Sequence, residues 1–195
     1  MISALILAAG ESKRMGQPKM LLEWGQTTVL GQVISVFQQA DIEDITVISG
    51  GAREQVEEIA RPYGARSIFN TEYASGEMLV SLQRGLEVQL PQTRATLIAL
   101  GDQPQIQAGT VRLICEVFLR TGSRLIVPSF QMRRGHPWLV ERSLWDELLR
   151  MGPGDSAREF LNRFASEIQY VSVETPSILA DIDTLEDYQR SRPQL

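Results

Sequence analysis

Residues 3–19 read SALILAAGESKRMGQPK, and this stretch decides how the rest of the chain is read. Its first part, SALILA (3–8), has no polar–apolar alternation. It predicts a strand buried on both faces, the pattern of a parallel sheet covered by helices on either side. Gly10 follows directly. Glycine there permits backbone N–H groups to approach a ligand closely, and a concave set of amides is an anion cradle. Lys13, Arg14 and Lys19 supply positive charge, and Pro18 stiffens the chain before Lys19. The segment lacks the GK[ST] ending of a Walker A loop and the GxGxxG of dinucleotide folds. On residue types alone it is either a phosphate-binding loop or a solvated basic turn.

Working outward, short apolar runs alternate with helical periodicity. Helices are predicted at 28–40, 53–64, 77–89 and 108–122, and strands at 44–50, 65–70, 95–102 and 124–129. This alternation predicts a single-domain α/β, Rossmann-like three-layer sandwich, mainly parallel, with helices on both faces. Beyond residue 129 the pattern loosens. QMRRGHPWLV (131–140) reads as an edge hairpin, 143–151 and 156–164 as helices, and EIQYVSV (167–173) as a late strand. With 195 residues and no linker-like stretch, one domain spanning 1–195 is the economical expectation.

The totals narrow the partners. A net charge of −5 disfavours nucleic acid and anionic membrane as general partners, so an anion site must be local. No apolar run approaches the length of a membrane span, and the N-terminus reads as a strand, not a signal peptide. The one cysteine, Cys115, excludes an intrachain disulfide and reads as a small core hydrophobe. A reducing cytoplasm is the expected location.

Two acidic motifs stand out. GDQP (101–104) places Asp102 at the end of a predicted strand, where open sheets bind ligands. LADIDTLEDY (179–188) places Asp181 and Asp183 before a predicted helix start at Thr184. Each alone reads equally as a turn or cap aspartate. A carboxylate ~4 Å from a phosphate charge is repelled by roughly 4 kcal/mol at an effective dielectric of 20. Carboxylates beside a polyphosphate therefore imply a cation between them, and magnesium is the usual one.

LAAGESKRMGQPKMLL (7–22) resembles the signature of the MobA-like nucleotidyltransferases, LAAG-x-S-x-R-M-G-x-x-K-x-L-L, at every fixed position. Within that family it is most similar to the molybdenum cofactor cytidylyltransferase (MocA-type) branch. Ala9 stands where the guanylyltransferase branch usually has glycine, which leans toward CTP. The resemblance implies that Leu7, Ala8, Ala9 and Gly10 meet the base and ribose. It implies that Arg14, Gly16 and Lys19 hold the triphosphate, with Lys19 and Arg14 beside Asp102 in catalysis. The GDxP and late DxDT motifs imply Mg2+ on Asp102 and Asp183, with Asp181 supporting. Leu185 stands where the family usually has proline.

IFNTEYASGEMLVSLQRG (68–85) resembles the family's N-x-x-x-x-x-G-x-x-x-S-L segment and implies nucleotide contacts from Asn70, Gly76 and Ser81. GHP (135–137) and GPGDSARE (152–159) resemble acceptor-side segments. They imply acceptor contacts from His136, Asp155 and Arg158, although Ser156 replaces a family glycine and His136 reads as well as a loop-fixing residue. Arg133 and Arg134 either meet the acceptor or are solvated. The nucleotide would then be handled by about 1–105 and the acceptor by about 106–195. The implied reaction joins the NMP of CTP to the phosphate of molybdopterin bearing molybdenum and releases pyrophosphate. A molybdenum hydroxylase is implied as a transient client. Two other readings remain open at this level: GTP or another phosphorylated acceptor, and a non-catalytic nucleotide- or cofactor-binding chaperone.

Overall fold

The computed structural model describes residues 1–10, 15–75 and 78–193. The first strand, β1 (Ile2–Ala8), is buried along almost its whole length and lies inside one large sheet. Its side chains divide strictly. Ala4, Ile6 and Ala8 enter the core beneath α1 (Val29–Gln39), α2 (Arg53–Ala60) and α4 (Ala108–Thr121). Leu5, Leu7 and Ala9 enter the opposite core, under α3 (Met78–Glu87), α5 (Trp145–Leu149) and α6 (Ala157–Arg163). Successive side chains on a strand point to opposite faces, so a strand serving two apolar cores is apolar at nearly every position; the one polar residue here, Ser3, is bonded to Gln89 and Thr96.

On one side of β1 lie β4 (Ile45–Ser49) and then β5 (Arg66–Phe69), both parallel to it. On the other lies β6 (Ala95–Leu100), also parallel. A small hairpin of β2 (Glu23–Trp24) and β3 (Thr27–Thr28) precedes α1, turning at Gly25 with φ +61°. Helix α1 is capped by the Thr28 hydroxyl, which accepts the Gly31 N–H at 3.1 Å.

The expected edge hairpin at 131–140 is corrected. Strand β7 (Leu125–Phe130) pairs with the short β8 (Arg133–Arg134), but β9 (Trp138–Glu141) inserts between β6 and β7, antiparallel to both. Trp138, Leu139 and Val140 are at most 1% exposed, which suits an interior strand and not an edge. The true edge is β10 (Ile168–Ser172), parallel to β7, with mostly outward-facing residues. The order across the sheet is β10–β7–β9–β6–β1–β4–β5. A last helix, α7 (Leu185–Ser191), starts at Thr184 with a reciprocal capping box to Asp187, so Leu185 in place of the family's proline leaves the start well defined.

Cys115 is half-buried against the core, and burial pushes its thiol up to about 11, so it stays protonated. Among the described residues no helix is long and apolar enough to cross a membrane.

Helix α3 approaches β1 through Gly85, where a Cβ would collide with the fully buried Leu5 side chain. Gly85→Ala should therefore lose about 1–3 kcal/mol in urea unfolding, the usual range for overpacking. Gly109→Ala in α4, where a Cβ would meet nothing within 4 Å, should be neutral or slightly stabilising.

Candidate active site

The carboxyl ends of β1, β4, β5 and β6 lie together, and loops leaving them build one edge of the molecule. Gly50, just past β4, packs so closely on the Ala9 backbone that a Cβ there would overlap the Ala9 carbonyl. Gly101, just past β6, donates its N–H to the Leu7 carbonyl at 2.9 Å. These two contacts seat the Leu7–Gly10 run between its neighbours. Gly16 adopts a left-handed conformation, φ +66°, and a 3-10 turn, Lys19–Leu21, buries Met20 while leaving Lys19 at the edge.

The Lys19 ammonium meets two carboxylates. It is ion-paired to Asp102 Oδ2 and lies 3.2 Å from Asp183 Oδ1. The Lys19 and Asp102 side chains are only 14% and 16% exposed, against 51% for Asp183. Burial pulls the lysine pKa down, but Asp102 and then Asp183 outweigh it, and the pKa is raised above the ordinary 10.5. The ammonium is therefore charged at any physiological pH.

What carries Asp183 to this place is local. The Ile182 N–H donates to the Asp102 carbonyl at 3.1 Å, and the Ile182 side chain is fully buried in a satellite cluster with Met15, Trp24 and Val29. Tyr188 of α7 joins that cluster; its hydroxyl donates to the Glu23 carbonyl at 2.6 Å and its ring tilts against Trp24. Gln103, 1% exposed, donates from Nε2 to Asp181 Oδ1, while its own Oε1 is buried without a partner among the described residues. The Asp181 carboxyl is raised above its ordinary value, first by burial, against the Gln103 bond, and further by the like charges of Asp102 and Asp183.

Other expected site residues fall in two groups. Asn70 and Ser81 are brought together but are bonded to each other, Asn70 Nδ2 donating to Ser81 Oγ at 3.0 Å while Asn70 Oδ1 accepts the Glu72 N–H. Both are buried, so they brace the loop after β5. Arg14 and Gly76, with Lys13 and Glu77, lie outside the described residues. His136, Asp155 and Arg158 converge on a separate cavity of about 830 Å³, which Lys19, Asp102 and Asp183 do not line. Ser156, in the family's glycine position, caps α6 by accepting the Glu159 N–H.

Sequence reasoning passed over Gln103, Gly50 and the Ile182 anchor. Only the buried position of Ile182 between two aspartates, an apolar residue in an acidic turn, carried a signal.

A family model described as the MobA-like NTP transferase domain matches residues 4–169. The molybdenum cofactor cytidylyltransferase of Escherichia coli is 29% identical over 187 residues, covering 96% of this chain and 93% of that protein. The crystal structure of Rv0371c from Mycobacterium tuberculosis superposes with a TM-score of 0.84 at 29% identity, covering 97% of this chain and 96% of that one. A structure of the same mycobacterial protein in complex with manganese superposes at 0.79 with 27% identity, covering 100% of this chain and 99% of that one. With most of its length under one family model and its sheet shared with these relatives, the chain belongs to the MobA-like NTP transferase family and is a nucleotidyltransferase-type enzyme.

Proposed function

We propose that the protein transfers the cytidylyl group of CTP to the phosphate of molybdopterin carrying molybdenum, with magnesium, and releases pyrophosphate. The observation that carries this reading is the Lys19 ammonium held between Asp102 and Asp183 at the carboxyl edge of the sheet. The cytidine preference is supported by Ala9 and by the likeness to a molybdenum cofactor cytidylyltransferase.

The donor set fits magnesium. Asp102 and Asp183 offer hard carboxylate oxygens on a shared cation position. Among the described residues no group of three or more His, Cys, Asp or Glu side chains forms a cage. That suits an ion bound through one or two carboxylates, with the remaining ligands from phosphate and water. When bound, it would offset charge on the phosphates. Lys19 steers the polyphosphate as a compact cation, with Gly16 three and Arg14 five residues before it in sequence. The Leu7–Gly10 backbone receives the nucleoside. Residues 1–105 serve the nucleotide and 106–195 the acceptor, through the cavity with His136, Asp155 and Arg158.

No protein base is needed. A phosphate monoester with a second pKa near ~6 is mostly dianionic at neutral pH and attacks the α-phosphorus directly. His136 is consistent with that. Enclosure in the cavity wall pushes it down to about 4, so at neutral pH it is an uncharged wall residue whose backbone N–H is tied to the Ile178 carbonyl at 3.0 Å.

Pyrophosphate release on adding molybdenum cofactor, scored across an NTP panel with magnesium, should favour CTP and vanish with chelator; turnover with GTP alone would remove the cytidylyl assignment. Lys19→Ala and Asp102→Asn should each lower turnover by about 10²–10³-fold with the fold retained, the usual cost of losing one charge-stabilising group. Gln103→Leu frees Asp181 and should raise the Mn2+ concentration for half-saturation, read by electron paramagnetic resonance, by about 10-fold, with an unchanged unfolding midpoint. The depressed His136 pKa means the unfolded chain binds the extra proton first. Its stabilising contribution is full above pH 6.5 and is lost as pH falls toward 4. The wild type should thus lose stability more steeply than His136→Gln between pH 7 and 4.5 in denaturant titrations.

A further inference from the structure

The cavity beside His136 carries an electrostatic oddity for an acidic protein. Three guanidinium groups, Arg133, Arg134 and Arg158, line it against the single carboxylate of Asp155. Among the described residues none of the three arginines is ion-paired. Asp155 does not neutralise them; its Oδ2 accepts the Gly152 N–H at 2.9 Å in its own turn.

Arg134 is the one built into place. Its Nε donates to the Tyr170 hydroxyl at 2.8 Å and its Nη1 to Asn162 Oδ1 at 2.8 Å, and its guanidinium lies 5.7 Å from the Tyr170 ring centroid. These partners come from β10 and α6, so three elements converge on one side chain. Both partners are neutral. They fix the orientation of the fork while leaving its charge uncompensated, with Nη2 unengaged among the described residues. An arginine so braced loses little conformational freedom when an oxyanion docks on its remaining N–H groups.

The reacting phosphate of the acceptor must reach Lys19, Asp102 and Asp183, and none of these lines the cavity. The arginines therefore face a different part of the acceptor. We propose that Arg134 is the specificity residue of this cavity, and that the acceptor it selects carries a second oxyanion in addition to the phosphate that reacts. This rests on the cavity being the acceptor side of the transferase.

Calorimetric titration of the full chain without nucleotide tests it separately from the reaction. The probes are a matched pair, phenyl phosphate and 4-carboxyphenyl phosphate, which differ by one carboxylate. The wild type should bind the carboxylated probe at least about ten-fold more tightly. Arg134→Gln should shrink that preference below about three-fold and leave phenyl phosphate binding unchanged. Tyr170→Phe, on the edge strand and 42% exposed, keeps the fold and should lose part of the preference by freeing the fork. Equal binding of the two probes by the wild type, no binding of either, or an equal loss of both in Arg134→Gln would overturn the proposal; the last result would assign the arginine to the reacting phosphate. If the cytidylyl assay fails while the preference stands, the reaction assignment falls and the anion specificity survives.

Discussion

A single ammonium group gathered by two carboxylates, from residues 19, 102 and 183, is the contact on which the edge of this molecule is organised. Such a cluster is costly to assemble unless the backbone brings its members together beforehand, because each partly buried charge gives up water. Here the backbone does so by different means for each. Met20 anchors Lys19 from the core side, β6 ends two residues before Asp102, and a main-chain hydrogen bond from Ile182 sets Asp183 alongside. Among the described residues, two aspartates with a third nearby face one lysine, and after burial the like charges of Asp102 and Asp183 further raise the Asp181 carboxyl.

The sheet supplies the frame through close backbone approaches. Gly50 against Ala9 and Gly101 against Leu7 leave the first loop little freedom where it leaves β1. On the other flank, Gly135 meets the Ile178 backbone where a Cβ would overlap it, and His136 bonds to the same carbonyl. The segment before the late aspartates is thus pinned both to the cavity wall and to the site edge. The two regions share a mechanical support although no lining residue is common to them.

Much of this was legible in the sequence, for definite reasons. A strand serving two cores is apolar at most positions, so β1, β4 and β6 announce themselves, and with them the parallel sheet. The glycine loop and the two acidic motifs were readable because each follows or precedes such an element. The placement of β9 was not readable: four residues between an RRGHP stretch and a turn carry too little pattern to separate an interior strand from a hairpin arm. Nor was the mutual bonding of Asn70 and Ser81, since spacing alone does not tell a ligand contact from a brace. Gln103 escaped, and Arg134 stayed open between acceptor contact and solvent, for a related reason. Their partners, Asp181 for one, Asn162 and Tyr170 for the other, lie 78, 28 and 36 positions away, and no local periodicity reports such pairs.

Helix α7 has no fully buried residue, and the segment around it is held by the small cluster of Ile182, Trp24, Val29 and Met15 with Tyr188 at its margin. The grip on the late aspartate is thus energetically separate from the large cores that hold the sheet. Were the terminal arm to detach, it would give up this small cluster and leave the pairing of the large sheet in place. A melting curve of this protein would then report the health of its scaffold and be nearly blind to whether its working edge is assembled.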